Sequence, residues 1–144
     1  MPEEKRSQRL QVVVDIAEQT ENEAAAFFDA AKSALHRELS ALESIDNYYA
    51  DYHRQFSGEK KGVRAADLMK SREFLTRLAQ MRDAQRLKVD LAERDLQAAQ
   101  EQWHKSHLKH KGLNDLIGRY RSEECRQLDI AEQKHLDEWI TFQR

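Results

Sequence analysis

The stretch WHKSHLKHK, Trp103 to Lys111, carries three histidines at three-residue spacing, His104, His107 and His110. Imidazoles can ligate zinc or move protons, but a metal site needs them to converge with an acid or a thiolate. Steps of three along a helix spread the side chains over more than a quarter turn, so at most two face alike. The stretch reads as a solvated basic face. With Lys105, Lys109 and Lys111 it also offers a docking place for an acidic partner. The single cysteine, Cys125, sits beside Arg126 without the histidine and carboxylate pattern that marks a nucleophile. One thiol excludes an intramolecular disulfide and a thiolate metal cluster, and suits a reducing cytosol. The chain has neither a glycine-rich phosphate loop nor a recognisable carboxylate pair. No catalytic residue, metal or cofactor is expected.

The chemistry of recognition is better represented. IDNYYADYHRQF, Ile45 to Phe56, gathers three tyrosines, a histidine and a phenylalanine. On a helical wheel Leu42, Tyr49 and Phe56 share one stripe, Ile45 and Tyr52 lie at its margin, and Tyr48 falls outside it. The set is too wide for one seam. Phe74, Leu78 and Met81 are placed across from it by a reversal of the chain. Tyrosine suits an interface because it adds large apolar area and keeps a polar tip. Part of the set is expected to close the hairpin and part to form a surface for a partner.

These residues must be positioned by long helices. The chain has 144 residues, of which 35% are charged and 8% aromatic, and a mean hydropathy of −0.90. Such a composition can bury a narrow seam more readily than a broad core. Periodic apolar spacing argues against disorder. The formal charge of −2 gives no reason to expect a nucleic-acid partner. The charged N-terminus lacks the apolar run of a signal peptide, and no stretch approaches the roughly 18 apolar residues of a membrane span. A soluble protein without membrane insertion is expected.

The only proline is Pro2, and glycine occurs only at Gly58, Gly62, Gly112 and Gly118. SGEKKG is therefore the turn signal. Before it, Leu10, Val13, Ala17, Ala24, Phe27 and Ala31 form one apolar set, and Leu35, Leu39, Leu42, Tyr49 and Phe56 a second. The change of phase near residue 31 resembles a stutter. After the turn, Phe74, Leu78, Met81, Gln85, Ala92, Leu96, Ala99 and Trp103 share a stripe, followed by Leu113, Ile117, Tyr120, Leu128, Ala131 and Trp139. Gly112 and Gly118 could break the second helix into a three-helix arrangement. Without accompanying proline or a polar loop they are expected to lie inside one continuous helix.

The expected fold is all-α: an antiparallel two-helix coiled coil forming one domain over residues 1–144. Its helices cover about 4–57 and 64–141, joined by a loop over about 58–63. The first helix is roughly 50 residues or about 75–80 Å long, the second roughly 75 residues or about 115 Å. Pairing from the loop outward sets residue i against about 120 minus i, which puts Trp103 against Ala17. Everything after about Leu116 then overhangs. The overhang keeps an apolar face through Leu128, Ala131 and Trp139, amid Arg119, Arg121, Arg126, Lys134, Asp137 and Glu138. Such a face calls for another protein.

Read as a whole, the chain resembles the FliJ family of flagellar type III export components over about 140 residues. The resemblance rests on RLQVVVDIAEQTENEAA, then Leu42, Ile45, Tyr48 and Tyr52 at their spacing, then a short glycine-containing loop. Phe74, Leu78, Met81 and Gln85 follow within REFLTRLAQMRDAQ, then Trp103 in EQWHK and the terminal EQKHLDEW. Ala41 and Gln85 depart from the family pattern. The resemblance implies a coiled coil similar to the rotor stalk of rotary ATPases. It implies a non-enzymatic, cytoplasmic protein at the inner face of the cell membrane that binds and stimulates the export ATPase hexamer. It also implies binding to the cytoplasmic domain of the membrane export gate protein and handling of export chaperones. The gate-binding patch carried over is Leu42, Ile45, Tyr48, Tyr52, Phe74, Leu78, Met81 and Gln85. The end expected to meet the ATPase comprises Arg119, Leu128, Ala131, Lys134, Asp137, Glu138 and Trp139. The equivalent stalk of a virulence injectisome, or a purely structural coiled-coil spacer, are the alternatives; a spacer needs neither the aromatic patch nor the overhang.

Overall fold

The computed structural model describes residues 5–57 and 65–143. They form two helices, α1 over Arg6–Ser57 and α2 over Ala65–Gln143, with no strand among the described residues. The helices pack against each other as a helical hairpin coiled coil. The turn expected at Gly58 to Gly62 and the side chain of Phe56 lie outside the described residues. Asp67 in the first turn of α2 suits the positive end of that helix.

α2 runs unbroken through Gly112 and Gly118, where an added Cβ would meet nothing within 4 Å. Glycine in a helix interior costs about 1 kcal/mol relative to alanine. Gly112→Ala and Gly118→Ala are therefore each expected to raise the thermal unfolding midpoint. A lowered midpoint would mean that something packs closely on those two positions.

The chain divides into two compact units, a terminal one (Met1–Ala25 with Gln102–Arg144) and a central one (Ala26–Glu101). In the terminal unit Val14, Ala17, Ala24 and Ile117 are buried together with Ser7 and Ser106. In the central unit Leu78, Val89 and Ala92 are buried together with Ser71 and Gln85. Each core is a narrow line of mostly small residues, as a two-helix seam must be.

The phase of α1 differs from the one expected. Buried and half-buried positions alternate by three and four from Ser7 through Leu10, Val14, Ala17, Glu21, Ala24 and Phe28. The same alternation holds in the central unit through Ala31, Leu35, Glu38, Leu42, Ile45, Tyr49 and Tyr52. There is no stutter. Val13 is 44% exposed, Phe27 74% and Leu39 44%, so all three leave the seam to Val14, Phe28 and Glu38. Met81, 54% exposed, likewise leaves the seam of α2 to Arg82. An apolar count skips the polar seam positions and slides one residue to the nearest apolar neighbour.

Those polar positions are tied across the seam. In the terminal unit Ser7 Oγ donates to Glu124 at 2.7 Å, and the Ser7 amide donates to the same carboxylate at 3.2 Å. The Arg121 guanidinium donates to Gln11. Glu21 receives His107 and His110. In the central unit the Gln85 amide donates to the Glu38 carbonyl at 3.0 Å and to its carboxylate. The Arg82 guanidinium lies over the Tyr49 ring, 4.9 Å from its centre. Polar seam residues specify which partners align, because a slipped alignment would bury them unpaired.

This fixes an alignment different from the one expected for the terminal unit. Pairing about the loop would set Ser7, Gln11 and Glu21 against Leu113, Lys109 and Ala99. They meet Glu124, Arg121 and His110 instead, about three helical turns further along α2. Ala17 consequently shares a groove with Gln102 and Ser106, while the Trp103 indole stacks on His107 with centroids 5.1 Å apart. The overhang also starts later than Leu116. Ile117 is only 3% exposed, Tyr120 and Glu124 are half-buried, and every residue from 125 to 143 is exposed.

Candidate binding surfaces

The loop-proximal aromatic set lies in the central unit. α1 presents Leu42, Ile45, Tyr48 and Tyr52 on about three turns, and α2 presents Phe74, Leu78, Met81 and Gln85. Phe74 is the meeting point: its ring lies 4.5 Å from Tyr52 and 6.4 Å from Tyr48, both tilted. These are ordinary aromatic-pair geometries that add to area burial. Tyr49 points inward under Arg82 and also stacks on His53 at 6.1 Å.

Exposure sorts the eight expected patch residues into three groups. Tyr48 is 60% exposed and Met81 54%. Leu42, Ile45, Tyr52 and Phe74 are half-buried. Leu78 and Gln85 are each only 7% exposed, so they act as seam residues behind the surface. Leu68 and Met69 are also exposed on the first turn of α2. The sequence reading passed over them because they stand outside the apolar stripe, and their exposure is the reason they stand outside it.

The second surface is the overhang. Leu128 and Trp139 are more than half exposed, and Ala131, Lys134, Asp137 and Glu138 are exposed with them. Arg119 is exposed as well, yet it lies alongside the seam residues Ile117 and Tyr120 rather than on the overhang. It is set apart from the other six by the longer pairing described above. Ile130, Leu136, Ile140 and Phe142 are exposed too, Phe142 at 91%. They were missed because the expected face followed one stripe only. Leu128, Ala131, Trp139 and Phe142 continue the seam face of α2 at steps of three, eight and three, whereas Leu136 and Ile140 project from another side. Cys125, the free thiol, is exposed where the overhang begins.

The histidine stretch is not simply a solvated face. His107 Nδ1 lies 3.0 Å and His110 Nδ1 2.6 Å from the two oxygens of Glu21, so two imidazoles do converge with an acid. The third, His104, is exposed. Among the described residues no group of three or more histidine, cysteine, aspartate and glutamate side chains is set to hold a metal. The arrangement is a clamp between helices. Hydrogen bonds from His107 foremost, with His110 in support, hold the Glu21 carboxyl below its ordinary value of 4.5 against the opposing cost of burial. A carboxyl with a depressed pKa adds stability above that ordinary value and loses it as pH falls through the folded value. Wild-type protein is therefore expected to lose more stability than Glu21→Gln on acidification below pH 4.5, read as thermal midpoint against pH. Identical pH profiles would show that the clamp adds nothing to the folded state. The bond from Ser7 depresses the Glu124 carboxyl in the same direction.

Among the described residues no helix is long and apolar enough to cross a membrane. The two surfaces are exposed apolar and aromatic patches with polar rims, suited to holding other proteins. No match was found among curated proteins or among solved structures. The family model described as the flagellar FliJ protein matches residues 6–144. With essentially the whole chain matched and the helical hairpin in place, this protein belongs to the FliJ family, non-catalytic components of flagellar type III protein export.

Proposed function

We propose that the chain is a stalk-like coupling protein: its overhang engages the export ATPase hexamer and stimulates it, and its aromatic patch engages the cytoplasmic domain of the membrane export gate. The observation that carries this reading is the apolar distribution on residues 125–143. A helix needing one further helical partner would be apolar on the seam face alone. Here Leu128, Trp139 and Phe142 are exposed on that face and Ile140 on another. Apolar residues on more than one side suit a helix that is surrounded, as it would be at the centre of a ring. A single rod cannot match six subunits equally, so it would act by biasing some of them.

The patch supports the other half of the reading. Tyr48 and Met81 are the exposed anchors, and Leu78 and Gln85 hold the backbones that carry them. Handling of export chaperones belongs to the same role and is not assigned to a surface on this geometry. The protein would work at the inner face of the cell membrane without entering it. The experiment is ATP hydrolysis by the purified export ATPase with and without the full chain, beside binding of the gate's cytoplasmic domain measured separately. Stimulation together with saturable gate binding is expected; an ATPase rate unchanged by excess chain overturns the stalk reading.

A further inference from the structure

A groove in the terminal unit is used by neither surface above. Its floor comes from one face of α1, with Val13, Ile16, Ala17 and Thr20, and its far rim from Lys105 and Lys109 of α2. Val13 is 44% and Ile16 60% exposed, so the floor presents apolar surface to solvent. No carboxylate lines the groove, and residues 102–114 contain neither aspartate nor glutamate. Glu21, an α1 carboxylate that reaches that basic stretch, is held by His107 and His110. None of the ion pairs among the described residues uses Lys105 or Lys109. An apolar floor thus runs beside two cations that form no ion pair among the described residues.

We propose that this groove binds an amphipathic helix with an acidic edge, contributed by another protein, as a third helix laid against α1 and α2. The spacing fits. Val13, Ile16 and Thr20 stand three and four residues apart, which a helix running alongside would meet with its own stripe at three- and four-residue steps. Lys105 and Lys109 are four residues apart, about 6 Å along α2, the same rise that separates carboxylates at i and i+4 of a parallel or antiparallel partner helix. A flat anionic surface such as a bilayer would reach the lysines but leave Val13 and Ile16 in the groove unmet. The apolar floor therefore favours a helix. This surface is separate from the overhang and from the aromatic patch, so the proposal stands without either assignment.

The test uses the full chain and two synthetic helical peptides that share a leucine stripe at three- and four-residue steps. One carries glutamates four apart along the edge of the stripe; the other carries glutamines there. The glutamate peptide is expected to bind about tenfold more tightly, with an advantage that shrinks as salt is raised. Lys105→Glu with Lys109→Glu should remove the advantage, and a lysine-edged peptide should then bind the double variant better than wild type. Ile16→Glu should weaken both original peptides, and because Ile16 is largely exposed the fold should survive it, checked by circular dichroism. Equal binding of the two peptides overturns the proposal. So does lysine-dependent binding of phosphatidylserine vesicles without peptide binding, which would make this a membrane contact. Self-association of the chain abolished by the lysine reversals, again without peptide binding, would assign the groove to a second copy and overturn it equally.

Discussion

Ending the chain after Glu124 is expected to abolish stimulation of the export ATPase while the hairpin stays folded. The cut is placed by the seam. Glu124 takes two hydrogen bonds from Ser7, and beyond it every residue to 143 is exposed. What is lost within the chain is slight, chiefly the exposed 3.4 Å pair of Arg126 with Glu123, so removing these exposed residues should change stability by no more than about 0.5 kcal/mol. It removes Leu128, Trp139 and Phe142 together, and with them the apolar anchors available to a ring. Hydrolysis should fall to the rate of the ATPase alone, and gate binding should persist. A cut after Leu116 would be a poorer experiment, because it takes away the buried Ile117 and the half-buried Tyr120 and so weakens the terminal unit itself. Full stimulation by the chain ending at Glu124 would move the ATPase contact elsewhere, first to the basic stretch from Lys105 to Lys111.

The second large effect concerns the patch. Tyr48→Ala with Met81→Ala is expected to weaken gate binding by about 2 kcal/mol or more, roughly thirtyfold in Kd. Both side chains are more than half exposed, so helicity and unfolding midpoint should stay close to wild type. Leu78→Ala should behave in the opposite way. At 7% exposure it is a seam residue, and truncating a buried leucine costs about 2–5 kcal/mol of stability. Any loss of binding in that variant would be secondary to a loosened central unit. Phe74 stands between the two cases, because its ring supports both Tyr48 and Tyr52. If the exposed pair can be truncated without loss while Leu78→Ala still binds poorly, the patch is a piece of coiled coil and no more.

The residues that made the fold legible are those that break or repeat a pattern. Prolines are absent after Pro2, and one pair of glycines brackets a charged loop. Apolar residues at three- and four-residue steps required two long helices, and two long helices are present. The alignment was less legible, for a specific physical reason. Ser7, Glu21, Glu38 and Arg82 occupy seam positions that an apolar count leaves empty. Reading past them made Val13, Phe27 and Leu39 stand in for Val14, Phe28 and Glu38, and turned an unbroken repeat into a stutter. Each of those residues meets a group on the other helix, and that group cannot be seen from one helix at a time. Glu21 shows this most clearly. The three-residue spacing told correctly that no more than two histidines could face alike, but the acid that draws His107 and His110 inward lies 86 and 89 residues away in the chain.

The surfaces divide along the same line. The overhang followed from helix lengths alone, because a longer second helix must run past the first. Its starting point depended on the polar ties and moved from Leu116 to Cys125. The patch could be located from its aromatics, but its anchors could not be separated from their supports until exposure was known. Met81 and Leu78 are equally apolar letters in one stripe. They differ by whether the other helix covers them.

The most direct measurement of the stalk reading is simultaneous capture. The full chain is immobilised through a tag, saturated with the export ATPase, and then offered the cytoplasmic domain of the gate protein at increasing concentration. The overhang and the patch belong to different units and share no residue, so both partners should be held at once. The gate domain should bind with the same Kd whether or not the ATPase is present. Displacement of the ATPase by the gate domain in proportion to the amount bound would mean that the two partners compete for one surface, and the stalk reading would be wrong.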